Sequence, residues 1–178
     1  MRILVVFSNN TAGGVDKYTF IKDQVESLKR IGCVIDFYGI EGKGIIGYLK
    51  SRKKLLQKIA EFQPNVIHSH YGLSGLLANL QRKIPVVTTY HGSDINNKKA
   101  LPLSRLCMSL SKFNIFVSQK NIDKSQIRKC YAMIPCGVDI DLFNPIEKQK
   151  ARQKLGLNEE EKLVLFSSAF DNKVKNSE

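Results

Sequence analysis

Short apolar runs alternate with longer stretches in which apolar residues recur every three or four positions, and this rhythm holds from the first residues to about position 135. Such alternation predicts βα units and a parallel sheet. The first run, Ile3-Leu4-Val5-Val6-Phe7, is continuous rather than alternating, as expected of a strand covered on both faces. A polar, glycine-bearing loop over 8–14 follows. Residues 15–31 then place Tyr18, Ile21, Val25 and Leu28 on one helical face, with Gly32 as the stop.

The same reading predicts strands over 33–38, 66–68, 85–90, 114–117 and 131–135, with helices over 45–62, 74–82, 101–111 and 119–128 between them. In the helix over 45–62 the residues Ile45, Leu49, Leu56, Ile59 and Ala60 share a face, and Arg52 intrudes on it. Either that helix begins later or its face is not wholly buried. Beyond 135 the rhythm changes to a turn-rich segment, a short helix over 147–155 stopped by Gly156, and a buried-type strand over 162–168. A lone strand cannot bury itself. The expected organisation is therefore a Rossmann-like doubly wound α/β domain over 1–156 and the start of a second βα domain over 157–178, in a fragment of a protein about twice as long.

With 28 Lys and Arg against 16 Asp and Glu in 178 residues, the formal charge is +12, and its placement matters more than its size. From Gly42 to Ile122 there are thirteen basic residues and only Glu61 and Asp94 as acids, so this stretch holds +11 of the total. A basic surface suits anionic lipid, phosphorylated ligands or nucleic acid, and a solvated Lys-rich surface is the plain alternative. Nucleic acid is disfavoured because the basic residues are not interleaved with aromatics in a recognisable motif. Cys33, Cys107, Cys130 and Cys136 have no metal-type or C-x-x-C spacing and read as reduced thiols. No apolar run is long enough to be a signal peptide or a membrane span, so a cytoplasmic protein is expected.

In an open parallel sheet, ligands bind outside the carboxyl ends of the strands, near the point where strand order reverses. Three glycine-bearing loops fall on that edge: 8–14, 68–75 and 90–94. They hold all three histidines. A strand order of 3-2-1-4-5-6 would put the first and fourth strands together at the reversal. Gly13-Gly14 could bring backbone amides up to an anion or simply make a tight turn; neither the G-x-G-x-x-G nor the P-loop pattern is present. His68 and His70, two apart on a strand, share a face, which suits either a metal or hydrogen-bonded pocket walls. In Tyr90-His91-Gly92-Ser93-Asp94, a histidine at a strand end can donate a hydrogen bond, take a proton or orient a sugar hydroxyl.

These residues carry a resemblance. Gly13-Gly14 after the first strand, Val66-Ile67-His68-Ser69-His70, Val87 through His91-Gly92-Ser93-Asp94, and Ile134-Pro135-Cys136-Gly137-Val138-Asp139 followed by Phe143 and Pro145 together resemble a retaining glycosyltransferase of family 4. These are GT-B enzymes, in which two Rossmann-like domains face each other over a cleft. The resemblance implies the N-terminal domain of a retaining hexosyltransferase, acting in cell-envelope or capsular polysaccharide synthesis. Its partners would be a nucleotide-sugar donor and a glycan or lipid-linked acceptor, with neither metal nor other cofactor.

By the same resemblance, His91 is the histidine near the transferring sugar, Gly13 and Gly14 lie near the donor phosphates and acceptor, and His68, His70 and Asp94 line the acceptor side. Lys175 stands for the lysine on the donor diphosphate. Cys136 occupies a position where Asn is usual, no arginine precedes Lys175, and the acidic E-x7-E element is missing. The fragment alone is expected to be inactive. The basic run over 42–60, with six basic residues and no acid, is expected to dock on anionic lipid at the inner membrane face. Two alternatives stand beside this reading: a non-catalytic Rossmann-like module that binds phosphorylated ligands through its basic face, and a GT-B nucleotide-sugar epimerase.

Overall fold

The computed structural model describes residues 1–10, 18–42 and 44–166. Six parallel strands form one sheet: β1 (Arg2–Ser8), β2 (Val34–Ile40), β3 (Val66–His70), β4 (Val86–Tyr90), β5 (Phe113–Phe116) and β6 (Tyr131–Met133). The connecting helices are α1 (Thr19–Arg30), α2 (Gly44–Lys50), α3 (Arg52–Phe62), α4 (Gly72–Asn79), α5 (Ser93–Asn96), α6 (Leu101–Leu110) and α7 (Gln119–Ser125). The continuous apolar run of β1 follows from cover on both faces. Leu4 and Val6 pack with Ile67, Leu55 and Leu77 on one side, while Ile3, Val5 and Phe7 pack with Ile21 and Val25 of α1 on the other. A third cluster, built on Tyr90, Cys107, Met108 and Phe116, fills the space under α5, α6 and α7.

The strand order is β2-β1-β3-β4-β5-β6, which corrects the expected 3-2-1-4-5-6. The first strand neighbours the third, not the fourth. Burial explains the difference. Ile67, His68, Ser69 and His70 of β3 are all buried, which requires a central place, whereas five of the seven residues of β2 are only half-buried, as an edge strand allows. The reversal therefore falls between β1 and β3.

The stretch predicted as one helix over 45–62 is two. The break comes at Ser51, whose hydroxyl donates to Glu41 O at 2.9 Å and whose carbonyl accepts from Tyr38 Oη at 2.8 Å. The break resolves the misplaced Arg52: it begins α3 and is exposed, while Ser51 and Leu55 are buried. Helix α1 ends as the sequence predicts, at Gly32 with φ +85°, where Cys33 N donates back to Leu28 O.

Compact packing divides the chain after Asp139. In the second unit, α8 (Lys148–Leu155) ends on Gly156, and Arg152 donates to the carbonyls of Asn158 and Glu161 that follow it. Residues 162–166 are not in a strand, contrary to the sequence expectation, and 167–168 lie outside the described residues.

Candidate functional site

The parallel pairing of β3 with β4 sets His70 opposite Thr89. The next residues of each strand therefore emerge side by side at the carboxyl edge, and all three histidines meet there. His68 Nε2 lies 2.8 Å from Thr89 Oγ1, and His70 Nδ1 lies 3.0 Å from His91 Nε2. The rings of His68 and His70 are 4.6 Å apart, and His70 stacks on His91 with centroids at 5.3 Å and 24° between planes. Phe20 of α1 covers His91 at 4.4 Å and Tyr71 flanks it at 4.8 Å. On its other side His91 Nδ1 is 4.0 Å from Sγ of the exposed Cys136.

Burial among rings disfavours the imidazolium form of each histidine. It pushes His68 and His91 down to about 4. His70, 1% exposed, is held well below the ordinary imidazole range by burial, with His68 and His91 beside it adding to the effect. Near neutral pH all three are uncharged. Burial also raises the Tyr71 phenol to about 12, so it stays a donor. Among the described residues, the buried Nε2 atom of His70 has no hydrogen-bond partner.

Asp94, expected to line the acceptor side, is bonded here to the backbone of two loops. Its Oδ2 accepts from Gly72 N and its Oδ1 from Gly92 N, both at 3.0 Å. The carboxylate thus ties the loop after β3 to the loop after β4 and fixes the residues that flank the histidines. Burial raises its pKa, and the backbone N–H groups of Gly72 and Gly92 offset part of that rise. Gly92, with φ +106°, supplies a backbone turn that other residues rarely adopt. Tyr71 makes a comparable turn without being glycine, at φ +71°, and its N–H donates to Thr89 O.

The structure therefore brings together His68, His70, His91 and Asp94. Gly13, Gly14 and Lys175 lie outside the described residues. Sequence reasoning missed Tyr71, Phe20 and Thr89, which wall and fix the histidines; the position of Tyr71 between His70 and Gly72 was the available hint. Among the described residues, no group of three or more His, Cys, Asp or Glu side chains is placed to hold a metal ion. A cavity of about 540 Å³ opens at the other edge of the sheet, between Arg82, Lys83 and Lys112, away from the histidines. Among the described residues no helix is long and apolar enough to cross a membrane.

Comparison with known proteins identifies the family and the fold. Residues 7–142 match the sequence model of Glycosyltransferase Family 4. The D-inositol 3-phosphate glycosyltransferase of Segniliparus rotundus is 29% identical over 57% of this chain and 27% of its own length. The chain thus spans about a quarter of that relative. Sucrose-phosphate synthase from Thermosynechococcus elongatus superimposes with a TM-score of 0.69 at 18% identity, over 90% of this chain and 54% of that one. Anabaena HepE, solved in complex with UDP-glucose, does so with a TM-score of 0.55 at 18% identity, over 88% and 50%. At such identities the structures share the fold, an all-parallel Rossmann-like half of the GT-B architecture. The family match runs from the end of β1 past β6 and takes in His68, His70, His91 and Asp94, so the chain belongs to Glycosyltransferase Family 4.

Proposed function

We propose that this chain is the acceptor-side domain of a retaining hexosyltransferase, which moves a sugar from a nucleotide-sugar donor to a glycan or lipid-linked acceptor in envelope or capsular polysaccharide synthesis. The observation that carries the reading is the neutral His91, set at the carboxyl edge of the sheet next to the strand-order reversal and walled by Phe20 and Tyr71. An uncharged imidazole among ring faces suits a sugar, with its apolar C–H faces and its hydroxyls. His91 contacts the transferring sugar, and His68 and His70 back the acceptor side. Gly13, Gly14 and Lys175 serve the phosphates. Donor diphosphate binding and closure of the cleft need a second domain of the same kind over the remaining length.

The test is sugar transfer from a panel of labelled nucleotide sugars. The 178-residue chain is assayed by itself and continued through a donor-binding domain, with His91→Ala in each. The reading expects turnover only in the continued protein, and a loss there of about a hundredfold on His91→Ala. Full turnover by His91→Ala in the continued protein would overturn the role of His91, and equal turnover by the short chain would overturn the need for a second domain.

The α2–α3 surface supplies the membrane part of the proposal. Ile46 is 72% exposed and Leu49 51% exposed, and Lys50, Arg52, Lys53 and Lys54 follow them on the surface. Apolar residues to insert and cations to meet lipid phosphates suit an anionic bilayer, at about 1 kcal/mol for each basic residue near it. Co-sedimentation with liposomes is expected to rise with anionic lipid content, fall with salt, and drop in a Lys53→Glu/Lys54→Glu variant. Binding indifferent to all three would remove the proposal.

A further inference from the structure

Two protonation patterns are open to the buried His70–His91 pair, and they give His91 opposite chemistry. Both rings are neutral, so each carries one N–H, and the 3.0 Å contact between His70 Nδ1 and His91 Nε2 needs one donor and one acceptor. In one pattern His91 Nε2–H donates to His70. The proton of His70 must then sit on its Nε2, which is buried and has no partner among the described residues. In the other, His70 Nδ1–H donates to His91, and His70 Nε2 is left with only a lone pair. A buried N–H without an acceptor is among the rarest defects of native proteins, and it disfavours the first pattern by about tenfold or more.

The surroundings agree. Among the described residues, the rings packed against the buried His70 are those of His68, Phe20 and His91, none of which carries an oxygen to accept from an Nε2–H. His68 is already committed, through its Nε2, to Thr89 Oγ1. On the far side of His91, the neighbour of Nδ1 is Cys136 Sγ at 4.0 Å, a weak partner that a sugar oxygen could displace.

We infer that His70 is a positioning residue that donates from Nδ1–H to His91 Nε2, fixing His91 as its Nδ1–H tautomer, so that His91 offers the bound sugar a hydrogen-bond donor and not a base. The inference rests on the reading that this edge receives a sugar. It deepens that reading by choosing among the roles a strand-end histidine could play. With Nε2 occupied by His70 and Nδ1 already protonated, His91 has no free lone pair with which to take a proton. It orients a sugar oxygen and leaves proton removal to another group. The ring stacking at 24° adds to the hydrogen bond in holding the plane of His91.

The tautomer is read directly by long-range ¹H–¹⁵N correlation spectra of the chain labelled at histidine. His91 is expected to carry its proton on Nδ1, opposite to the form that prevails for free histidine in water. His70→Asn, whose amide N–H2 reaches the place of Nδ1, keeps that tautomer, whereas His70→Phe, with no donor, releases it. In the protein continued through its donor domain, His70→Phe lowers kcat about tenfold with little change in donor KM, and His70→Asn restores it. A His91 found as the Nε2–H tautomer, or one unmoved by His70→Phe, overturns the inference whatever the enzyme assays give. If His91 is the Nδ1–H tautomer but no sugar is transferred by the continued wild-type protein, the tautomer assignment stands and the glycosyl-transfer reading fails.

Discussion

Replacing Asp94 tests whether one carboxylate holds the site together. Its two oxygens accept from Gly72 N and Gly92 N, each at 3.0 Å, and the side chain is buried. Asp94→Ala leaves two buried N–H groups without acceptors, at about 1–3 kcal/mol each, partly offset by no longer burying a charge, so a loss of about 3 kcal/mol is expected. Asp94→Asn keeps one acceptor and turns an N–H2 toward the other donor, so it should still lose about 2 kcal/mol. Against the 5–15 kcal/mol typical of a domain, either loss is easily measured by urea unfolding. Hydrogen exchange adds a local readout, because the Gly72 and Gly92 amides should lose protection before the strand amides of β1 do. A stable Asp94→Asn, within about 0.5 kcal/mol of wild type and with both amides still protected, would refute the assignment of Asp94 as the tie between the loops.

Acid should destabilise the protein through the same site. His68 and His91 are pushed from 6.5 to about 4, so the unfolded chain binds protons that the folded one refuses. Stability is complete above about pH 6.5 and falls as the pH drops toward 4, by about 2 kcal/mol for each histidine between pH 7 and 5. Urea midpoints that do not change over that range, or a His68→Gln variant with an unchanged slope, would contradict it. Gly75→Ala should cost about 1–3 kcal/mol, because its Cβ would stand 2.6 Å from both Cys107 Sγ and Thr88 Oγ1, whereas Gly137→Ala, with nothing within 4 Å, should not strain any contact; thermal unfolding compares them. Gly92→Ala should lower stability by about 1–3 kcal/mol through its φ of +106°, and the ¹H–¹⁵N signals of His91 should move with it.

Most elements were legible in the sequence because their cause is local. The unbroken run Ile3-Leu4-Val5-Val6-Phe7 and the spacing of Ile21 and Val25 each respond to burial that any neighbour could supply, and each element formed close to where the pattern placed it. Strand order was not legible, since β1 offers the same apolar faces to β3 as it would to β4. The central place of β3 shows only in the structure, in the burial of residues 67–70. Arg52 did mark a real irregularity, but the break at Ser51 depends on Tyr38 and Glu41, which are distant in sequence. The histidines were recognisable as residue types at the right edge. Their mutual bonding was not, because it follows from the register that sets His70 against Thr89. Asp94 was read as lining the site, while its bonds to two loops on different strands are visible only once those strands are paired.

Among the described residues, most of the basic surface lies apart from the histidine cluster. Of the thirteen basic residues from Gly42 to Ile122, eight lie on α2–α3 (Lys50, Arg52, Lys53, Lys54 and Lys58) or, as Arg82, Lys83 and Lys112, around the cavity at the opposite edge of the sheet. The histidine cluster, in contrast, is bounded by Phe20, Tyr71, Thr89 and Cys136, and no hydrogen bond or ion pair of the described residues joins a Lys or Arg to it. A cation beside these three imidazoles would hold them still further from protonation and would draw water into the rings that keep them neutral. Separation lets the surface carry strong charge without disturbing the tautomers. It also divides the proposed work: attraction to an anionic surface on one face, and orientation of an uncharged sugar at the strand ends, where a single proton between His70 and His91 decides what the site can do.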